Sequence, residues 1–267
     1  MEKITKIFLC GAGGRMGLRL LELIQSTPTL AITGALERED SPWLGKEAVP
    51  DLNGKGSIPF ECDYGRLKES DVLVDFSTPE GVAKNVLKAE EYLKPVVIGV
   101  TALGVEITQI IRFSSLTIPI ICAPNLSFGV NLMYVIVQEM ARILGGDYDL
   151  EVVESHHNRK KDAPSGTALK LYEVLCAARE LDLKTAMRHG REGVVGPRTT
   201  QEIGIHAIRG GDTVGEHTVI FAGPGETLEI THRALSRDAF ANGALKAAQW
   251  IVGKDPGLYS FSEVLGL

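Results

Sequence analysis

The sequence predicts an α/β fold in two parts, and three observations carry that prediction. Short β-rich apolar runs alternate with helical patterns through the first half, as βαβ units do. The runs VLVDF, VVIGV and IPIIC are almost continuously apolar, as strands buried on both faces of a parallel sheet require. After Asn125 the pattern changes to successive β-rich runs divided by Gly-rich turns, which indicates a mainly antiparallel open sheet. The expected arrangement is a parallel-sheet domain with an α+β domain inserted before the last helix. The boundaries read as 1–127 with 238–267 for the first domain and 128–237 for the second.

Taken in order, residues 4–10 read as a strand, 16–26 as a helix and 30–36 as a second strand. Residues 72–76 form a strand, and 79–93 a helix with Pro79 in its first turn. Residues 96–100 read as a strand, 105–114 as a helix and 118–122 as another strand. A long apolar helix covers 131–144, followed by a strand at 148–155 and a helix at 166–180. Three β-rich runs follow, 203–208, 217–221 and 228–232, and a final helix at 238–252.

At 267 residues the chain can bury a core without disulfides or metals. Its formal charge is −6, from 28 Lys and Arg against 34 Asp and Glu, so no global attraction to nucleic acid or anionic membrane is expected. Any anion must be held by a local cluster. Cys10, Cys62, Cys122 and Cys176 lie far apart without a C-x-x-C pair, and read as buried thiols in a reducing compartment rather than a zinc site. No leader pattern opens the chain, and no apolar run approaches about 18 residues, so a cytoplasmic location away from membranes is expected.

The first strand ends in Gly11-Ala12-Gly13-Gly14-Arg15-Met16-Gly17. This departs from strict G-x-G-x-x-G because Met16 stands where a glycine would. The physical need is still met: one glycine for the tight turn, one for close backbone approach to a pyrophosphate, one for helix–sheet packing. The helix start adds partial positive charge for phosphates. A tight turn alone would also use such glycines, but this turn follows an N-terminal strand, opens a helix and precedes an acid at the end of strand two. That acid, Glu37, lies twenty residues beyond Gly17 and can accept hydrogen bonds from ribose hydroxyls. Arg38 beside it can pair with a 2′-phosphate. The pair therefore reads as tolerance of NADH and NADPH, or as two solvated charges. With the alternating strands, the turn makes the first domain Rossmann-type. Phe76-Ser77-Thr78-Pro79, Gly99-Val100-Thr101 and Ala123-Pro124-Asn125-Leu126 stand at later strand ends, where open parallel sheets bind ligands. Each is either an ordinary loop or part of a lining for the nicotinamide.

The densest chemistry is ESHHNRKKDAPSGTA, residues 154–168. Two His, one Arg and two Lys occupy the six positions 156–161 between a strand and a helix. Ser165 can cap that helix, with Gly166 and Thr167 in its first turn offering N–H groups and a hydroxyl to a carboxylate or phosphate. His156, His157 and Lys160 add positive charge and titratable donors. A small dicarboxylate fits this combination. A solvated basic face, a metal site and a nucleic-acid patch are the other readings. No acid or Cys has metal-ligand spacing, and aromatics are absent from the run. His206, His217 and His232 read as structural histidines. Arg209, Arg233 and Arg237 extend the anion site or serve a subunit interface.

These residues resemble the 4-hydroxy-tetrahydrodipicolinate reductase (dihydrodipicolinate reductase) family along nearly the whole chain. GAGGRMG, VDFSTPEG, APNLSFGVNL, ESHHNRKKDAPSGTAL, GEHTVIFAG and LEITHRALSRDAFANGALKAAQWI follow that family's pattern in order, and HH-x-x-K-x-DAPSGTA is its most specific segment. The resemblance implies an NADH- or NADPH-dependent oxidoreductase of lysine and diaminopimelate biosynthesis, acting on a cyclic dicarboxylate as a homotetramer built through the second domain's sheet. It implies that Gly11, Ala12, Gly13, Gly14, Arg15 and Met16 contact the dinucleotide, that Glu37 and Arg38 meet the adenosine ribose or its phosphate, and that Gly99–Thr101 and Ala123–Leu126 line the nicotinamide side. It further implies His156 as proton donor or acceptor, Lys160 as proton donor, and His157, Gly166 and Thr167 as substrate ligands, with no metal. Two departures touch the nicotinamide segment. The family commonly has GTTG where this chain has Gly99-Val100-Thr101-Ala102, and often Phe at Leu126. From the residues themselves, another Rossmann-type amino-acid or sugar dehydrogenase and a non-catalytic dinucleotide sensor are the rival readings. The first would need a different substrate cluster, and the second would need no paired His and Lys.

Overall fold

The structure is a computed structural model that describes residues 3–49 and 57–266. The chain divides into two compact units, 1–127 with 237–267 and 128–236.

The first unit opens with β1 (Thr5–Cys10), α1 (Arg15–Ser26) and β2 (Leu30–Leu36). Two short strands follow, β3 (Glu47–Val49) and β4 (Ile58–Glu61), then β5 (Val72–Asp75) and α2 (Pro79–Glu91). β6 (Val96–Ile98), α3 (Val105–Ser114) and β7 (Pro119–Cys122) complete its first segment. The second unit holds α4 (Phe128–Leu144), β8 (Asp149–His156), α5 (Gly166–Arg179), β9 (Met187–His189), β10 (Ile203–Arg209), β11 (Gly215–Gly223) and β12 (Glu226–Ala234). The chain then returns to the first unit as α6 (Asp238–Ile251), β13 (Gly257–Tyr259) and α7 (Phe261–Leu265).

The first sheet runs β13-β7-β6-β5-β1-β2-β4-β3, parallel throughout except for the β3–β4 edge pair. This is the open Rossmann-type order, and it reverses direction between β1 and β5, where such sheets bind ligands. The central strands are buried on both faces, which explains their unbroken apolar runs. Helices α2 and α3 bury Val82, Val86, Ala89 and Ile111 against Phe8, Leu73, Val96, Ile98 and Ile120. Helix α6 packs across β1, β5, β6 and β7 with a face of small residues, Ala241, Gly243, Ala244, Ala247 and Ala248. A Cβ on Gly243 would fall 1.7 Å from the Leu126 carbonyl oxygen, so only glycine permits that approach. The Arg19 guanidinium reaches back to Asp238 with Nε at 2.7 Å and Nη2 at 2.8 Å, a fork that ties α1 to α6.

The second sheet runs β12-β11-β8-β10-β9. β11 pairs antiparallel with both β12 and β8, whereas β8–β10 and β10–β9 run parallel. The sequence reading placed 203–208, 217–221 and 228–232 in one run of neighbouring strands. The structure refines it, because β8 lies between β10 and β11. Leu150 and Val152 of β8, Ile203 and Ile205 of β10, and Val219 and Phe221 of β11 alternate onto one face beneath α4 and α5. The intervening residues, including Glu151, Val153, Thr218 and Ile220, take the other face and are only partly buried.

Sequence reasoning missed β3, β4, β9, β13 and α7. Each is three to five residues long, too short for a periodic signal. It also began α4 three residues late, at 131 rather than Phe128.

Candidate active site

A cavity of about 530 Å³ lies at the carboxyl ends of β1, β2, β4 and β5 in the first unit. Among its walls are Gly11, Gly14, Leu36, Glu37, Arg38, Phe76 and Lys84. Its shape depends on two glycines. Gly11 has φ +72°, and a Cβ there would lie 2.6 Å from the Phe76 carbonyl oxygen. A Cβ on Gly17 would lie 2.2 Å from the Gly11 carbonyl oxygen. The turn can therefore press against β5 and the helix against the turn only while both positions lack side chains. Gly14 is the N-cap of α1 and supplies no side chain to the helix's first N–H groups. Ala12 is wholly buried under the turn, while Gly14 and Arg15 are exposed and Gly13 and Met16 half-buried.

Glu37 sits where the acid after strand two was expected. Its Oε1 accepts a hydrogen bond from the Gly13 amide at 2.7 Å, so the carboxylate faces the Gly-rich turn. Arg38, largely exposed, pairs with Asp40 at 3.1 Å. Tyr64, Ser77 and Asn85 in the cavity wall belong to a polar chain that the sequence did not reveal. Asp75, wholly buried at the end of β5, accepts from the Ser77 amide at 2.9 Å and from Asn85 Nδ2 at 2.8 Å. Burial pushes its carboxyl up, against the pull of those hydrogen bonds. Tyr64 donates its hydroxyl to Asn85 Oδ1 at 2.6 Å, and Lys84 Nζ lies 5.5 Å from the Tyr64 ring centre. Cys62 lines the same cavity and is exposed, which corrects the reading of all four cysteines as buried. It stands just beyond β4, a strand that sequence reasoning missed.

The other two predicted segments follow β6 and β7, which are neighbours in the sheet. Val100, Ala123, Asn125 and Leu126 are buried, Gly99 is half-buried, and Thr101 and Pro124 are exposed. Gly99 leaves room for the Phe76 ring, which a Cβ would meet at 2.4 Å. Asn125 Oδ1 accepts from the Ser127 amide at 2.8 Å. Neither segment lines the cavity described above. Ala102, the position where a glycine was expected by resemblance, has φ +57°. An L-residue pays about 1 kcal/mol there. Ala102→Gly is therefore expected to raise stability slightly, by up to about 1 kcal/mol in a urea melt, despite the added freedom of the unfolded chain. A loss of stability would mean that the local contacts of the alanine outweigh its backbone strain.

In the second unit, His156, His157, Lys160, Gly166 and Thr167 lie along one continuous bend from the end of β8 to the start of α5. The bend is pinned to the β10–β11 connection: the His157 amide donates to the Thr213 carbonyl at 2.8 Å, and the Gly210 amide to the His156 carbonyl at 3.0 Å. Ser165 caps α5 as expected, its Oγ accepting from the Ala168 amide at 3.2 Å. Gly166 is exposed at the helix start and Thr167 is buried. Lys160 has a side chain only 20% exposed and pairs with Asp162 at 2.9 Å, while Arg159 pairs with Asp212 at 3.1 Å. The charge that remains partly sheltered on the bend is thus that of Lys160.

Beneath the bend lies a buried polar cluster. The Glu154 side chain has no exposure. It receives His156 Nδ1 at 2.6 Å, both terminal nitrogens of Arg209 at 2.7 Å and the Ser165 amide at 3.0 Å. Burial by itself would raise its carboxyl, but the hydrogen bonds from His156 and Arg209 outweigh burial and hold it down at about 2. Arg209 neutralises a buried acid of its own chain. His217, 3% exposed, contacts Ser165 Oγ through Nε2 at 2.9 Å and meets the His156 ring edge-on at 5.2 Å. Burial, then the charge of His156, pushes it down to about 3. His206 and Arg233 have structural partners. His206 Nε2 lies 2.7 Å from Glu151, and Arg233 forks onto Glu216 at 2.6 and 2.8 Å. Among the described residues no group of three His, Cys, Asp or Glu is arranged to hold a metal.

These shifts have a sign. Glu154 is lower folded than unfolded, so its contribution is present above the ordinary carboxyl range and lost as pH falls toward about 2. His217 is also lower when folded, so the unfolded chain takes up its proton first, and stability falls as pH drops from about 6.5 toward about 3. Thermal melts are expected to show acid destabilisation beginning near the His range. His217→Gln should flatten the upper part of that limb. An unchanged limb would assign it to other groups.

Two family models match the chain: dihydrodipicolinate reductase, N-terminus, over residues 5–126, and dihydrodipicolinate reductase, C-terminus, over residues 129–265. The 4-hydroxy-tetrahydrodipicolinate reductase of Syntrophotalea carbinolica is 46% identical over 99% of this chain and 100% of its own length. That of Geobacter sulfurreducens is 45% identical over 99% of this chain and 100% of its own. A solved dihydrodipicolinate reductase from Paenisporosarcina sp. TG-14, described with dipicolinate bound, shares the fold with a TM-score of 0.72 at 23% identity, covering 96% of this chain and 97% of that one. With both halves matched by the family's models and relatives alike from end to end, this chain belongs to the dihydrodipicolinate reductase family.

Proposed function

We propose that the chain reduces 4-hydroxy-tetrahydrodipicolinate to tetrahydrodipicolinate with NADH or NADPH, in the diaminopimelate route to lysine. The observation that carries this reading is the bend at 156–167: a sheltered lysine, two histidines and the exposed start of a capped helix, on a chain whose full-length relatives bear that activity's name. Residues 1–127 with 238–267 act as the dinucleotide-binding domain, and 128–237 as the substrate-binding and tetramerisation domain.

The first unit fits a dinucleotide. Gly11 and Gly17, where a Cβ would strike the Phe76 and Gly11 carbonyl oxygens, let the turn close into a cradle, and Gly14 leaves the start of α1 without a side-chain cap. Gly11 to Met16 hold the pyrophosphate; Glu37, with Arg38, meets the adenosine ribose; Gly99–Thr101 and Ala123–Leu126 bound the nicotinamide. A reduced dinucleotide held there would supply the hydride that reduces carbon four of the dehydrated, conjugated ring, a reduction that places developing charge toward the substrate's ring nitrogen. Lys160 stabilises that charge and delivers a proton, with His156 as the second proton-handling group. His157 and the Gly166–Thr167 helix start hold a substrate carboxylate and so fix the ring's orientation.

The outward face of the second sheet supports a homotetramer. It carries Val153, Thr218 and Ile220, all partly exposed, and Ile208 at 53% exposure. None of the described helices is long and apolar enough to cross a membrane. A cytoplasmic location fits a biosynthetic enzyme with four free thiols.

Coupled turnover with the product of the preceding synthase tests the reading, with NADH and NADPH followed in parallel. Oxidation of at least one cofactor that depends on the cyclic substrate is expected. No oxidation of either by a folded, cofactor-binding protein would overturn it.

A further inference from the structure

We infer that Glu154 is a positioning residue for this site: it holds His156 as the Nδ1–H tautomer and locks that ring to the start of α5. The inference rests on the proposal that His156 handles a proton. It goes further by naming the group that sets which ring nitrogen is presented.

The geometry leaves little freedom. Each Glu154 oxygen takes two donors. Oε2 receives His156 Nδ1 at 2.6 Å and Arg209 Nη1 at 2.7 Å. Oε1 receives Arg209 Nη2 at 2.7 Å and the Ser165 amide at 3.0 Å. An ionised carboxylate can only accept, so the proton of the neutral imidazole must be on Nδ1, and Nε2 must keep its lone pair. The opposite end of the ring is also specified. A Cβ on Gly215 would lie 3.1 Å from His156 Nε2, so the β11 strand keeps that nitrogen's surroundings clear by having no side chain there. His217 stands edge-on to the ring at 74° and grips Ser165 Oγ from the far side of the cluster.

The same carboxylate thus organises both halves of the proposed chemistry. One oxygen orients the histidine; the other secures the N-cap residue of the helix whose first turn, Gly166 and Thr167, is proposed to hold the substrate carboxylate. Arg209 makes the arrangement tolerable, because an unpaired carboxylate with no exposure would be strongly disfavoured. The parallel register of β8 and β10 places Arg209 directly opposite His156, so the cation comes from the neighbouring strand rather than from the basic bend.

Glutamine cannot replace this glutamate. It has one accepting oxygen, whereas the site presents donors to both, so its NH2 must face either His156 and one arm of Arg209 or Ser165 and the other arm. If it faces His156, the imidazole proton moves to Nε2.

Nitrogen NMR of the unaltered protein with labelled histidine, the ring neutral and His156 identified by its loss in His156→Asn, reads the tautomer directly. A protonated Nδ1 and bare Nε2 are expected; the Nε2–H tautomer would overturn the inference. In Glu154→Gln, kcat is expected to fall on the order of 100-fold or more, as when outer-shell or tautomer-fixing carboxylates are neutralised. The KM for the dinucleotide should stay within about twofold, since no contact of Glu154 belongs to a cofactor segment. Glu154→Asp, which keeps the charge, should recover part of that kcat. A folded Glu154→Gln protein with undiminished kcat would overturn the inference. If that variant does not fold, the spectrum of the unaltered protein still decides. Because the tautomer is read without substrate, failure of the unaltered protein to reduce the cyclic imine would count against the proposed function alone.

Discussion

Lys160→Ala is expected to lower kcat by about 1,000-fold while leaving dinucleotide affinity within about twofold. The reasoning starts from where the lysine is held. Its side chain is only 20% exposed, and its ammonium is steadied by Asp162 at 2.9 Å. Its amide is fixed in a turn by the His157 carbonyl at 3.1 Å, so the side chain leaves a rigid part of the bend. In the proposed reaction a cation placed there acts twice, stabilising charge that develops on the substrate nitrogen and then supplying a proton. Alanine removes both contributions. Arginine retains the charge but parts with a proton far less readily, so Lys160→Arg is expected to recover substrate affinity more than kcat. The segments proposed to hold the dinucleotide lie in the other unit of the chain, which is why cofactor titration should barely change. Wild-type turnover in Lys160→Ala would remove Lys160 from the mechanism.

The second large effect concerns the Gly-rich turn. Gly11→Ala is expected to cost roughly 3 kcal/mol or more of stability and to weaken dinucleotide binding by more than about tenfold. Two independent terms add. The backbone at φ +72° disfavours an L-residue by about 1–2 kcal/mol. The new Cβ would also lie 2.6 Å from the Phe76 carbonyl oxygen, which belongs to backbone and cannot swing away. Relief requires the turn to lift from the end of β5, at the reversal of strand order where the cavity forms. A urea melt and a fluorescence titration with NADH would register the two losses separately. A variant as stable and as tight-binding as the parent would contradict the cradle.

The parts of this molecule that could be read from its sequence are those with local signals. The Rossmann-type sheet followed from unbroken apolar runs, the α5 start from Ser165 before an apolar pattern, and the acid facing the turn from its distance to Gly17. What could not be read depends on residues brought together from afar. Glu154 and Arg209 are 55 positions apart, and only the β8–β10 register joins them. Arg209 in isolation was one more arginine near a turn. The Tyr64–Asn85–Asp75 chain is assembled from a loop, a helix and a strand end, each unremarked by composition. Glu37 and Arg38 looked like opposed claims on one ribose. Structurally they diverge, the acid toward Gly13 and the arginine toward Asp40. The order of the second sheet was beyond reach for a related reason, since the helix α5 carries the chain over so that β10 joins β8 on the side away from β11. By contrast, the short strands β3, β4 and β13, at or next to the sheet's edges, owe their existence to a neighbour's hydrogen bonds, not to a pattern of their own.

The central claim is that the bend at 156–167 grips a doubly negative ring. A crystal structure with pyridine-2,6-dicarboxylate and the reduced dinucleotide tests it most directly. The expected result is a diacid with one carboxylate on the Gly166–Thr167 helix start and the ring beside His156 and Lys160. A well-ordered diacid bound elsewhere, with this bend empty, would contradict it.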